Sequence, residues 1–214
     1  MEVSASILSP KKYETQVSID LTELHGSPSI NTSYGQIVAQ YSVTVYLVLF
    51  LHEVLGLSVI AASALLALVN VVAIGGRMGW GLASDALFAG ARRPVLLIII
   101  VLTLAGMLLA AALPANAPLG AAIVLAALLG VSAFSWTGMY GTLAVELAGS
   151  ASAASAVAWV HLLGALGSLG GPPLFGFIVD HTGSYRVAWL AAALAVFVGL
   201  LATLALREGR ERLA

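Results

Sequence analysis

The 214-residue chain has no cysteine, and only 9 % of its residues are charged. The first absence removes disulfide bonds, a thiolate nucleophile and a thiolate metal site. The second removes the soluble globule as a class, because soluble domains carry about a quarter of their residues as Asp, Glu, Lys or Arg. An excess of either charge is missing too. The formal net charge is −1, whereas a nucleic-acid partner calls for a basic surface that neutralises phosphates. Residues 1–34 hold no apolar core of the kind a signal peptide needs, and they carry Glu2, Lys11, Lys12, Glu14, Asp20 and Glu23. What is abundant is hydrocarbon: 60 % hydrophobic residues and a mean hydropathy of +1.02 place the chain in a lipid bilayer.

A helix needs roughly 20 mostly apolar residues to cross a bilayer. Six stretches qualify: 37–56, 58–83, 94–113, 119–147, 154–180 and 186–206. The expected fold is therefore all-α integral membrane, with a polar tail over 1–36, a six-helix membrane domain over 37–206 and a basic tail over 207–214. The first span is the thinnest, because Gln36, Gln40, Tyr41, Ser42 and Thr44 dilute its first half. Lys11, Lys12, Arg92, Arg93, Arg207, Arg210 and Arg212 fall on one side of such a domain, against Arg186 on the other. The positive-inside rule then puts both termini in the cytoplasm.

The run from Gly75 to Asp85 returns 95 positions later, from Gly170 to Asp180: a double glycine, a third glycine after four residues and an aspartate after three more. Glu53 to Gly56 likewise matches Glu146 to Gly149. The chain thus reads as two three-helix repeats, over 37–113 and 119–206. An odd number of spans per repeat inverts the second copy, which is a transporter signature.

Arg77 is the one permanently charged side chain well inside a span, where a cation is costly and calls for compensation. Seven-residue spacing sets it on nearly one helix face with Ser63, Asn70 and Ser84, a face unsuited to lipid. It either binds an anion through its planar fork, or snorkels and pairs with Asp85. Ser132, Ser135, Met139, Thr142 and Glu146 form a second stripe, flanked by Trp136 and Tyr140, that either lines a substrate path or joins helices. His161 and Ser168 lie one span on, ahead of Gly170, Gly171, Pro172 and Pro173. The prolines should kink or open that helix, either as a binding-site break or as a packing bend. Asp85 could latch to Arg92 or Arg93 and release in another state. An intramembrane hydrolase is disfavoured, since His161 has no acidic neighbour at helical spacing. No cluster has metal-ligand spacing, so neither cofactor nor metal is expected.

Gly81 to Arg93 resembles the cytoplasmic loop signature of the major facilitator superfamily, although Ala86 stands where a basic residue usually follows the aspartate. Gly171 to Tyr185 resembles that family's eleventh helix and outer loop, and Leu51 to Ser58 the end of its seventh. The resemblance implies the carboxy-terminal six-helix half of a secondary transporter in a bacterial inner membrane. Arg77, with Gly76 before it, is similar to the eighth-helix arginine that meets substrate carboxylate in oxalate/formate and monocarboxylate type members. A small organic anion is the implied substrate, with Arg77, Asn70, Trp136, Tyr140, His161 and Ser168 at the site. Asp85, Arg92, Arg93, Gly171, Pro172, Pro173 and Asp180 would gate it. Such a half must pair with a copy of itself or a separate half, or be a partial chain of a longer gene product; the alternative is a truncated, non-transporting membrane remnant or scaffold with the same fold.

Overall fold

The computed structural model describes residues 28–205, apart from the side chains of 28–33, 147–152, 155–156, 159–160, 163 and 205. Lys11, Lys12, His25, Arg207, Arg210 and Arg212 lie outside the described residues. The described chain is helical, with no strand: α1 Pro28–Glu53, α2 Val59–Leu87, α3 Arg92–Ala112, α4 Leu119–Val131, α5 Trp136–Thr182 and α6 Tyr185–Ala205. Among the described residues, five segments are long and apolar enough to cross a membrane: Tyr34–Glu53, Val59–Leu87, Arg92–Ala112, Leu119–Glu146 and Tyr185–Leu204.

The helix ends follow local chemistry. The hydroxyl oxygen of Ser58 accepts from the Ala61 amide at 3.2 Å and caps the start of α2. At the far end of α2, the Phe88 and Gly90 amides both donate to the Ser84 carbonyl, with Gly90 at φ 81°. α1 packs mainly against α6 and α5, α3 against α6, and α2 against α4. An aromatic cluster joins α1, α5 and α6: Phe175 stacks on Tyr46 with ring centroids 4.7 Å apart and meets Trp189 edge-on at the same distance. Trp189 is fully buried.

Two features bear on the sequence expectation. The expected span 119–147 is broken at residues 132–135, and its second half runs on into α5, which is 47 residues long. Straight, α5 would measure about 70 Å, more than twice the hydrocarbon thickness. It is not straight: Trp136, Gly141, Val157 and Gly164 line one cavity together. The chain must double back between Gly141 and Val157. This gives a first limb packed beside α3 and a second limb packed on α1, close to the two expected spans. The second limb lies tight on α1, where a Cβ on Gly167 would come within 2.5 Å of Ile37 Cγ2.

The second feature is at Pro172 and Pro173, where a kinked or opened helix was expected. Both lie inside α5 with helical residues on either side. Two missing amides leave the carbonyls of the preceding turn short of donors, and Gly171 lies close on α1, where a Cβ would lie 3.5 Å from the Val38 Cα.

Candidate functional site

The break at 132–135 organises the centre of the molecule. The Ser135 amide donates to the Ser132 carbonyl at 3.2 Å, so the Val131 carbonyl loses its helical partner, and the Phe134 amide reaches back five residues to Leu129 at 3.2 Å. Serine hydroxyls compete for the same backbone. Ser132 Oγ donates to the Leu128 carbonyl at 2.6 Å, and Ser135 Oγ to that of Val131. Donors from α2 complete the segment. Trp80 Nε1 donates to the Val131 carbonyl at 2.7 Å and to Ser135 Oγ at 3.1 Å. Arg77 donates from Nε and Nη2 to the Phe134 carbonyl at 3.3 and 3.2 Å. α2 can come so close because of glycine on both sides. A Cβ on Gly76 would lie 2.9 Å from Ser135 Cβ, and one on Gly130 would lie 2.6 Å from the Val69 carbonyl oxygen.

Arg77 thus neither pairs with Asp85 nor stands unpartnered: it holds a broken helix, with its residue still exposed on the outer side of α2. Ser63 and Asn70 are exposed as well, and the amide of Asn70 donates to the Leu66 carbonyl at 2.9 Å. Ser84, expected on the same face, is buried and donates to the Ala91 carbonyl at 3.0 Å. α2 therefore presents a polar stripe of Ser63, Asn70 and Arg77 among exposed Val71, Ile74, Met78 and Leu82.

On the opposite side of the break, a cavity of about 250 Å3 lies between the start of α1 and the two limbs of α5. Ile37, Gln40, Tyr41, Trp136, Thr137, Tyr140, Gly141, Val157, His161 and Gly164 line it. Trp136 Nε1 donates to Gln40 Oε1 at 3.0 Å, and the Trp136 and Tyr140 rings sit with centroids 5.4 Å apart. The structure so brings together Trp136, Tyr140 and His161 of the expected site. Arg77, Asn70 and Ser168 lie outside the lining, and Ser168 Oγ donates to its own helix at the Ala165 carbonyl, 2.8 Å away. The expected stripe on the first limb is spent elsewhere: Ser132 and Ser135 on the break, Met139 in the core, Thr142 on the Gly138 carbonyl.

The helix ends carry two polar clusters. At one end, Arg92 Nη1 meets Asp85 Oδ1 at 2.9 Å and Ser84 Oγ at 3.0 Å, while Arg92 Nε meets Glu146 Oε1 at 3.3 Å. The Arg93 guanidinium donates to the carbonyls of Thr203 at 3.3 Å and Leu204 at 2.6 Å. At the other end, Tyr185 donates its hydroxyl to Glu53 Oε2 at 2.8 Å. Asp180 is exposed near the end of α5.

Sequence reasoning missed Trp80, Gln40, Tyr41, Thr137 and Val157. Gln40 and Tyr41 carried a signal, since they are the polar residues that thin the first span. Trp80 carried none, because its role depends on a break in another helix.

These helices, the small residues between them and the charged loop at one end match a family model, the Major Facilitator Superfamily, over residues 37–213. The chain belongs to the major facilitator superfamily. It is accordingly an integral membrane protein of a transporter family. No curated protein matches it. Among the described residues, the cavity and the exposed stripe on α2 each set polar side chains beside apolar ones.

Proposed function

We propose that this chain is one half of a secondary transporter that moves a small organic solute by alternating access. The observation that carries the reading is the exposed polar stripe of Ser63, Asn70 and Arg77 on a helix otherwise apolar on its outer side. A guanidinium and an amide facing lipid hydrocarbon remain costly even where a backbone carbonyl takes some of their donors, so the stripe is suited to face a wet cavity shared with a second six-helix body. That body is a second copy of this chain, a separate half, or a further part of the same protein. The six membrane passes form two inverted three-helix repeats, with both termini and the Arg92 cluster on the cytoplasmic side. Asp85, Arg92 and Glu146 latch helix ends there, while the segment around Gly171, Pro172, Pro173 and Asp180 serves the outer gate.

A second reading specifies the solute as an organic anion. The exposed guanidinium of Arg77 favours it, since a planar fork suits a carboxylate. Uptake of labelled monocarboxylates and dicarboxylates into proteoliposomes, parent against Arg77→Ala, tests both. Saturable uptake by the parent that falls at least about tenfold in the variant supports the anion reading. Equal uptake by the two removes Arg77 from recognition, uptake of no carboxylate removes the anion reading, and uptake of neither carboxylates nor neutral ring solutes such as benzamide, with or without a second half supplied, sinks the transport reading.

A further inference from the structure

We infer that the cavity between α1 and the two limbs of α5 binds a small, uncharged, planar ring-bearing solute and discriminates against its anionic counterpart. The inference rests on the transport reading above and deepens it by naming the substrate class.

Three aromatic residues, Tyr41, Trp136 and Tyr140, line the space. Trp136 and Tyr140 are each only 3 % exposed, and Trp136 is pinned through Nε1 to Gln40. Their rings are therefore set before any ligand arrives, and rigid aromatic faces take a flat ring by offset or edge-on stacking. The polar lining is Gln40, Thr137 and His161, which offers amide, hydroxyl and imidazole groups to a ligand's edge. Among the described lining residues there is no Asp, Glu, Lys or Arg, and residues 147–160, which join the limbs, contain no ionisable side chain. Arg77, two residues from Trp136 through its bond to Phe134, spends Nε and Nη2 on that carbonyl and is outside the lining.

The consequence is electrostatic. A carboxylate entering this space gives up hydration without meeting a fixed cation among the described lining residues, whereas a neutral amide exchanges water for the lining's own hydrogen bonds. Size narrows the class further, because about 250 Å3 is at the small end of ligand cavities and suits a single ring.

Benzamide and benzoate have nearly the same shape and differ in charge, so equilibrium dialysis of both against the purified chain in detergent is the test. Benzamide should bind at least about tenfold tighter than benzoate, with the same preference in His161→Gln, where no imidazolium can assist an anion. Trp136→Ala should weaken benzamide about tenfold or more, and Trp136→Phe, which keeps a ring, should weaken it less. Thr137→Trp, which fills the cavity from an exposed position, should abolish binding even if Trp136→Ala fails to fold. Benzoate binding as tightly as benzamide, binding of neither, or benzamide binding that survives Thr137→Trp overturns the inference. Dialysis needs no transport, so a chain that binds benzamide and moves nothing would refute the transport reading alone.

Discussion

At the scale of single residues, the backbone carbonyls at the break decide what the polar side chains of α2 do. The Val131 carbonyl has lost its helical amide, and Trp80 supplies the replacement at 2.7 Å. The Ser135 hydroxyl shares that carbonyl, so losing the Trp80 donor costs about 1 kcal/mol, the net value of a typical hydrogen bond, rather than leaving a bare acceptor. Trp80→Phe, which deletes the N–H and keeps a ring, should therefore destabilise the protein by about 1 kcal/mol, read as a lower midpoint of unfolding in detergent. Arg77→Lys should lose part of the same support, because an ammonium presents a point charge where the guanidinium presents two donors to one carbonyl. Arg77→Leu should lose more. Gln36 provides the opposite case: it is 2 % exposed, and both ends of its amide lack a partner among the described residues. Gln36→Leu, which removes both polar ends at similar volume, should leave the midpoint unchanged or raise it; a clear fall would mean that the amide has a partner.

At the scale of elements, α5 is the part whose shape departs most from its hydrogen-bonding pattern. A straight helix would separate Thr137 from Val157 by roughly 30 Å. Doubled back, both residues line one cavity. Because the chain has no cysteine of its own, Thr137→Cys with Val157→Cys should be joined by a bismaleimide about 10 Å long, a span a straight helix would exceed threefold. Failure of that crosslink at full labelling of each single cysteine would contradict the reversal. The limbs were legible as two apolar spans. The break between α4 and α5 was not, because Ser132 and Ser135 fit the periodicity of an unbroken helix as well as they fit a break. Only the presence of Trp80 and Arg77 opposite the freed carbonyls separates the two cases. At Pro172 and Pro173, where a kink or an opening was expected, the chain stays within α5 with helical residues on either side.

At the scale of the whole molecule, the two polar clusters at the helix ends tie elements distant in sequence. Arg92 joins the end of α2 to the end of the first limb of α5, and Tyr185 joins the start of α6 to the end of α1. Asp85 and Glu146 are largely exposed, so their ion pairs contribute little individually and weaken with salt. Arg92→Gln should accordingly shift the unfolding midpoint modestly at low ionic strength and less in high salt. A larger effect on transport than on stability would mark the cluster as a latch. Self-association is tested with two differently tagged copies: if the stripe on α2 meets a second copy, they should co-purify from mixed membranes, and Asn70→Trp should separate them.

Composition determined the solvent, the long apolar runs determined the all-helical class, and the loop and helix-end motifs carried the likeness to the major facilitator superfamily. These depend on hydropathy and short-range spacing, which any linear chain displays. The loop arginines likewise showed where a charged cluster would form. The tertiary structure decided which arginine took which partner: Arg92 the two carboxylates, Arg93 the end of α6, Arg77 a carbonyl. It also decided that Trp136, Tyr140 and His161 share a cavity while Arg77 stands outside it. A hydrogen bond forms where a donor finds a free acceptor, and the acceptors here were freed by a helix break that becomes visible only once α2 lies against it.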